Sequence, residues 1–252
     1  MERIENIGFG DLRLIQDPDQ FCYGVDAVIL ADFASSLYPE FSRAADLGTG
    51  NGIIPLILSH KNGSADILGI DVQEDIIEMA ERTIRLNGLD ERIRFVCKDV
   101  SELVDEGNNI ANKEDTGFYA GYCDMVTCNP PYFVKGGAVP SSKQAKFIAR
   151  HETTATVEDF VKAAAMLLKR QGHFFMVHRP SRLADIFYFC RKYGLEPKDM
   201  RLVVPKPQEA PNIVLIHCVK GAGKELRVLK ELAVYDVNGG YSEEIEKIYE
   251  RK

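Results

Sequence analysis

Between Ala44 and Tyr132 the chain repeats one pattern four times: a short apolar run that halts on glycine, acid or proline. Ala44-Ala45-Asp46-Leu47 runs into Gly48-Thr49-Gly50-Asn51-Gly52. Residues 65–71, ADILGID, end on Asp71. Ile93 to Cys97 leads into Lys98-Asp99-Val100, and Met125-Val126-Thr127-Cys128 stops at Asn129-Pro130-Pro131-Tyr132. Runs of this length suit buried strands. The segments between them have helical character: Ile53 to Leu58 is apolar, and Gln73 to Asn87 puts Ile76, Ile77, Ala80 and Ile84 on one side before Gly88 closes it. Strands alternating with helices of crossover length predict a largely parallel sheet with helices on both faces. Ligands bind such sheets at the C-terminal strand ends, and all four stops fall on that edge.

The flanking segments extend the pattern. Residues 1–23 read as an irregular or hairpin lead-in with turn chemistry at Asp17-Pro18-Asp19, followed by a helix over Val25–Leu37. Residues 105–121 are polar and rich in Asn and Gly, and read as a surface loop. A helix over Val157–Lys169 carries the stripe Val157, Phe160, Val161, Ala164, Leu167, Leu168. Gly172–His178 is the fifth strand, and a helix runs from Pro180 to Tyr193, closed by Gly194. Arg201–Val204 and Ile213–Val219 are two more strands with no helix between them, so they are expected to pair antiparallel at one edge. Leu226–Asp236 offers a final strand, and Asn238-Gly239-Gly240 turns into a short charged helix. The expectation is one domain over 1–252, with a lead-in (1–40), a core (41–220) and a strand-turn-helix extension (221–252).

The length, 252 residues with 45% hydrophobic, suffices for one large core. Six cysteines without a CxxC pair read as buried free thiols in a reducing cytoplasm. The scattered histidines offer no zinc spacing, so no metal is expected. No run reaches membrane-spanning length and the N-terminus lacks a signal-peptide core, so a cytoplasmic protein without membrane contact is expected. A monomer is the simpler expectation. Net charge is −7, yet residues 1–133 carry −14, residues 134–206 carry +8 and residues 207–252 carry −1. A basic block that begins directly after Tyr132 suits a polyanion, though it also serves as the solvated face of helices.

The loop Gly48-Thr49-Gly50-Asn51-Gly52 is G-x-G-x-G, one residue short of the dinucleotide fingerprint, so no pyrophosphate cradle is implied. A nucleoside without phosphates suits it. The glycines allow close backbone approach, Asp71 at the end of strand two accepts from ribose hydroxyls, and Asp99 lies by the base. That describes S-adenosyl-L-methionine, held by Asp46, Gly48, Thr49, Gly50, Gly52, Asp71, Val72, Asp99, Val100 and Asn129. Asp26 is placed to reach it from the first turn of the first helix, and Tyr23, just before that helix, to close over it. For Asp26 the plain alternative is an acid on the helix dipole; for Asn129-Pro130-Pro131-Tyr132 it is a proline turn with a capping Asn.

These features together resemble the class I S-adenosylmethionine-dependent methyltransferases, a Rossmann-like α/β/α sandwich whose seven-stranded, mostly parallel sheet has one antiparallel edge strand. Asn129-Pro130-Pro131-Tyr132 is similar to the motif of the amino-methylating branch. Phe21-Cys22-Tyr23-Gly24-Val25-Asp26-Ala27-Val28-Ile29-Leu30, Asn129 to Phe133, Ala149-Arg150-His151-Glu152 and the ending Ala233-Val234-Tyr235-Asp236 with Gly240-Tyr241-Ser242 resemble the tRNA1(Val) (adenine(37)-N6)-methyltransferase family. The resemblance implies N6-methylation of a tRNA adenine. The Asn129 side-chain oxygen and the Pro130 carbonyl would accept the amine's two hydrogens, Pro131 would stiffen the platform, and Tyr132 would stack on the base. Phe133, Lys135, Lys143, Lys146, Arg150 and His151 would meet the RNA. Glutamine-amide methylation of release factors, and adenine methylation of rRNA or DNA, remain open alternatives, as does a non-catalytic binding module.

Overall fold

The computed structural model describes residues 1–19, 22–104, 119–132 and 155–251. Strands β1 (Arg3–Asn6) and β2 (Arg13–Gln16) form a hairpin ahead of α1 (Val25–Leu37). Then β3 (Arg43–Leu47), α2 (Ile53–Lys61), β4 (Asp66–Asp71), α3 (Glu74–Leu86), β5 (Ile93–Cys97) and β6 (Cys123–Cys128) follow. The second half holds α4 (Val157–Leu167), β7 (Leu168–His178), α5 (Leu183–Lys192), β8 (Leu195–Val204), β9 (Ile213–Lys220), the two-residue strands β10 (Arg227–Val228) and β11 (Leu232–Ala233), and α6 (Glu243–Ile248). The main sheet has nine strands. Its order is β10-β8-β9-β7-β6-β3-β4-β5, with β11 also on β8.

The sheet is mostly parallel, as expected: β5, β4, β3, β6 and β7 pair parallel in that order. Two details differ. The antiparallel strand β9 is not the edge; it lies between β7 and β8 and pairs with both. Its first seven residues are all buried, which requires cover on both faces of the sheet, and pairing with β7 and β8 satisfies its backbone on both edges. The burial of β8 alternates along much of its length, and its outer edge meets the two-residue strands β10 and β11. Strand β8 also starts six residues earlier than expected. A register shift between Pro197 and Asp199 admits the proline into the strand.

Alternate strand residues feed two cores. Ala44, Ile67, Met125, Phe175 and Leu215 face α1, α2, α3 and α6. Ala45, Leu68, Val126, Phe174 and Ile216 face α4 and α5. This is the period-two geometry of a sheet covered on both sides. Helix α2, IIPLILSHK, is buried almost all round, and its Pro55 sits in the first turn, where no N–H donor is required. On the α1 face a polar chain crosses four strands. His173 Nδ1 lies 2.9 Å from His217 Nε2, His217 Nδ1 lies 2.8 Å from Asp199 Oδ2, and Arg227 Nε donates to Asp199 Oδ1 at 2.7 Å. The Tyr38 ring stacks on His173 with centroids 3.8 Å apart.

Register fixes the functional edge. Leu47 of β3 pairs with Cys128 of β6 and Ile70 of β4, and Cys128 pairs with Met176 of β7. One residue further on, Gly48, Asp71 and Asn129 therefore emerge side by side at the C-terminal ends, with the last residues of β7 alongside.

Candidate active site

The glycine loop follows β3. Gly48, Gly50 and Gly52 have φ of +70°, +54° and +81°, a region that L side chains enter at a cost. The N–H groups of Gly48 and Thr49 both donate to the Ile70 carbonyl, at 2.8 and 2.9 Å, and Gly50 N donates to Asp71 Oδ2 at 2.9 Å. The three glycines differ in surroundings. A Cβ on Gly52 would stand 2.7 Å from the Phe95 ring, and one on Gly48 would stand 3.3 Å from Phe160, whereas one on Gly50 would meet nothing within 4 Å. Gly52 thus serves packing, and Gly50 opens onto free space. Phe160 is held there by α4, whose start is fixed by a capping box between Thr156 and Asp159.

Below the loop, Asp46 is fully buried. Thr127 Oγ1 donates to its Oδ1 at 2.7 Å, and its Oδ2 has no hydrogen-bond partner among the described residues. Burial pushes this carboxyl up to about 7. The Thr127 hydrogen bond and the nearby Thr49 hydroxyl, which lies outside good hydrogen-bond geometry, pull it back, while Asp71 adds to the rise. Asn51 Nδ2, also buried, is without a partner among the described residues. Asp71 is buried too, which raises its pKa against the opposing pull of donors. Gln73 N and Nε2 each donate to its Oδ1 at 3.2 Å, in addition to Gly50. Asp99 caps a 3-10 turn over Val100–Glu102, its Oδ1 accepting from Ser101 N at 2.8 Å and Ser101 Oγ at 2.7 Å, with Val100 buried beneath. The Val72 carbonyl takes a long contact from Cys97 Sγ, at 3.5 Å.

Beside the loop stands the proline platform. Pro130 is buried, Pro131 exposed, and Asn129 and Tyr132 half-buried. The Tyr132 hydroxyl lies 2.9 Å from Asp26 Oδ2 and 3.0 Å from Asn129 Oδ1. Burial, reinforced by the Asp26 carboxylate, drives the phenol pKa well above its ordinary value, so the hydroxyl keeps its proton. The Arg179 guanidinium lies over the Tyr132 ring, 4.9 Å from its centroid, and the His178 ring meets it edge-on at 5.2 Å. His178 is pushed down to about 4, chiefly by burial and then by Arg182. Its neutral ring accepts from Arg179 N through Nδ1, at 2.7 Å.

Asp46, Gly48, Thr49, Gly50, Asp71, Asn129, Tyr132 and Asp26 are thus brought together around one edge. Tyr23 is half-buried and packs against the core on the α1 face. Phe133, Lys135, Lys143, Lys146, Arg150 and His151 lie outside the described residues. The sequence reading places neither His178 nor Arg179 at this edge. Their signal was present: β7 is parallel to β6, so its C-terminal residues must end beside Asn129.

A nucleoside cofactor with an amino-acid tail fits this edge. Among the described residues, Asp46 Oδ2 and Asn51 Nδ2 are buried polar atoms in want of partners, Gly50 leaves room for a ligand against the backbone, and Asp71 holds the loop at Gly50. The comparisons with known proteins agree. The family model for the methyltransferase small domain matches residues 12–186. A tRNA1(Val) (adenine(37)-N6)-methyltransferase of Bacteroides thetaiotaomicron is 30% identical over 233 residues, covering 90% of this chain and 89% of its own. The protein of the same name from Bacteroides fragilis is 28% identical over 86% of each chain. Among solved structures, a predicted O-methyltransferase of Agrobacterium tumefaciens superposes with a TM-score of 0.70 at 20% identity, over 89% of this chain and 95% of that one. The 16S rRNA N2 G1207 methyltransferase of Thermus thermophilus, solved with AdoMet and guanosine, superposes at 0.57 and 18% identity, over 87% of this chain and 50% of that one. These likenesses establish the Rossmann-like methyltransferase fold. The chain belongs to the methyltransferase small domain family and is an S-adenosyl-L-methionine-dependent methyltransferase.

Proposed function

We propose that the protein methylates the exocyclic N6 amine of an adenine in tRNA, at position 37 of a valine tRNA, in the cytoplasm. The observation that carries this reading is Asn129-Pro130-Pro131-Tyr132 at the end of β6, beside the glycine loop of β3, in a chain that a tRNA1(Val) (adenine(37)-N6)-methyltransferase matches over nine-tenths of its length. The basic block after Tyr132 gives a second line of support.

When bound, S-adenosyl-L-methionine supplies an electrophilic methyl group on its sulfonium. Asp71, Gly48, Thr49, Gly50 and Asp46 would hold it. The remaining task is to make a poor nucleophile attack, because the amine's lone pair is delocalised into the adenine ring. Asn129 Oδ1 and the Pro130 carbonyl accept its two hydrogens, draw the nitrogen towards sp³, and meet the positive charge that develops there. Two adjacent prolines keep both acceptors in place, which supplies the orientation term. The target base leaves its own stack and lies on the ring of Tyr132, a contact worth roughly 1–3 kcal/mol.

The test supplies methyl-labelled S-adenosylmethionine with tRNA, rRNA, DNA or a release factor in parallel, and digests the labelled product. N6-methyladenosine from tRNA is the expected result; label in the protein would overturn the reading. Asn129→Ala is expected to bind the cofactor normally by calorimetry while losing roughly 100-fold or more in turnover.

A further inference from the structure

The Tyr132 hydroxyl has one proton and two oxygen neighbours. Asp26 Oδ2 stands at 2.9 Å and Asn129 Oδ1 at 3.0 Å. Both are acceptors, so a single O–H bond serves only one of them. An ionised carboxylate forms a hydrogen bond about twice as strong as a neutral amide oxygen does. The proton therefore goes to Asp26. Among the described residues, Asn129 Oδ1 is then left facing the phenol oxygen with no other donor.

The carboxylate is set for this task by its surroundings. Its other oxygen, Oδ1, accepts from Ala27 N at 3.2 Å. Gly24 makes the room, since a Cβ there would lie 2.5 Å from Asp26 Oδ1. The Tyr132 ring is fixed independently, with Arg179 over it and His178 at its edge. Two rigid supports, the first turn of α1 and the end of β7, thus hold the hydroxyl between the two acceptors.

We propose that Asp26 is a positioning residue that draws the Tyr132 proton away from Asn129, and so keeps Asn129 Oδ1 open for the substrate amine. This rests on the reading above, in which Asn129 is the amine's acceptor. Without the Asp26 carboxylate, the Tyr132 O–H turns to Asn129, takes one of the two lone pairs of Oδ1 and weakens its hold on the substrate amine. Tyr132 then competes with the substrate, and removing its hydroxyl relieves the competition.

The experiment compares Asp26→Ala, Asp26→Asn, Tyr132→Phe and the two double variants, with saturating S-adenosylmethionine and total tRNA as methyl acceptor. Asp26→Ala is expected to lower kcat about 30-fold, which corresponds to ~2 kcal/mol, with cofactor affinity unchanged by calorimetry. Asp26→Asn leaves two amide oxygens competing for one proton and is expected to lose less, about 5-fold. Tyr132→Phe keeps the ring that stacks on the base and drops only the hydroxyl, and its kcat is the reference against which both double variants are read. The decisive result is recovery: Asp26→Ala/Tyr132→Phe is expected to return to the level of Tyr132→Phe alone. A role for Asp26 in merely bracing α1 against the platform predicts no recovery, because the double variant removes the brace as well. A double variant as slow as Asp26→Ala, or slower, overturns the proposal. Should Asp26→Ala unfold, as its melting curve would show, the Asp26→Asn pair decides between the two roles by the same criterion. Near-normal turnover by Asn129→Ala would overturn the parent reading as well, whereas an inactive Asn129→Ala with no recovery in the doubles overturns the Asp26 role alone.

Discussion

Two buried polar clusters lie in the same sheet, finished to different degrees. In the chain from His173 through His217 and Asp199 to Arg227, each link has its partner, and the Tyr38 ring closes one end. Burial works to raise Asp199, yet Arg227 and His217 bring it below its ordinary value. His173 is driven down to about 4 by burial and stays neutral. In the cluster at the C-terminal strand ends, Asp46 Oδ2 and Asn51 Nδ2 are buried as well but lack partners among the described residues. Nearly all buried polar groups in proteins are paired. The first cluster obeys that rule from within the chain, whereas the second awaits something from outside it. Polar groups buried to build are completed by the fold; polar groups buried to bind are completed by the ligand.

Five variants would break or sharpen this contrast. The largest effect is a pH dependence. The folded pKa of Asp46 is raised to about 7, above the ordinary carboxylate value near 4. The native state therefore holds this proton longer than the unfolded chain does. The group's contribution is most favourable below about pH 4 and is lost as pH rises towards about 7. Asp46→Asn cannot titrate and keeps an acceptor for Thr127. Its stability relative to the parent, measured by urea unfolding without cofactor, is expected to grow across that window by a few kcal/mol. A gap that stays constant with pH would remove Asp46 from the account.

Asp71→Ala comes next. It deprives the Gly50 and Gln73 N–H groups of their acceptor and the ribose of its own. Cofactor affinity by calorimetry is expected to fall by ~1.5–3 kcal/mol; unchanged affinity would refute the contact. Asp199→Ala is the matched variant in the completed cluster. It strands His217, and the expected loss is ~1–3 kcal/mol of unfolding free energy with kcat/KM intact; a loss of turnover at unaltered stability would erase the distinction between the clusters. The smallest effect is that of Gly50→Ala. Its φ of +54° costs a side chain about 1 kcal/mol, with no clash, and the added methyl enters the space assigned to the cofactor. Gly52→Ala meets Phe95 and should destabilise more while reporting less on binding. Equal cofactor affinity in Gly50→Ala and the parent would mean that the open space lies elsewhere.

Much of this was legible in the sequence, for reasons that are local. Helix α1 appears over Val25–Leu37 as its spacing predicts, and the prolines end β6 where they must. The edge that gathers Gly48, Asp71 and Asn129 follows from strand–helix alternation alone. What was hidden depends on pairing over long separations. The place of β9 is decided by which strands claim its two sides, and its own residues do not say which. Tyr132 reads as a stacking ring in the sequence. Its hydroxyl contact with Asp26 spans 106 positions and has no local sign. The histidines looked idle because they lack metal spacing. Once register places His173 opposite Val219 and His217 opposite Phe175, their rings fall on one face.

The position of β9 also sets a timetable for synthesis. When the chain has been made as far as Val204, β8 exists but has nothing to join, since its neighbour in the finished sheet is β9 and not β7. The outer side of β7 is equally bare. Both edges wait for Lys220, about 16 residues later, roughly one to three seconds at ordinary elongation rates. Exposed strand edges invite mispairing, and the waiting interval is spanned by a linker carrying Pro205, Pro207 and Pro211, which is a poor template for another strand. The nascent protein is therefore most vulnerable late, when nearly the whole methyltransferase sheet is built but its last full-length strand has yet to be slotted between two that were made before it.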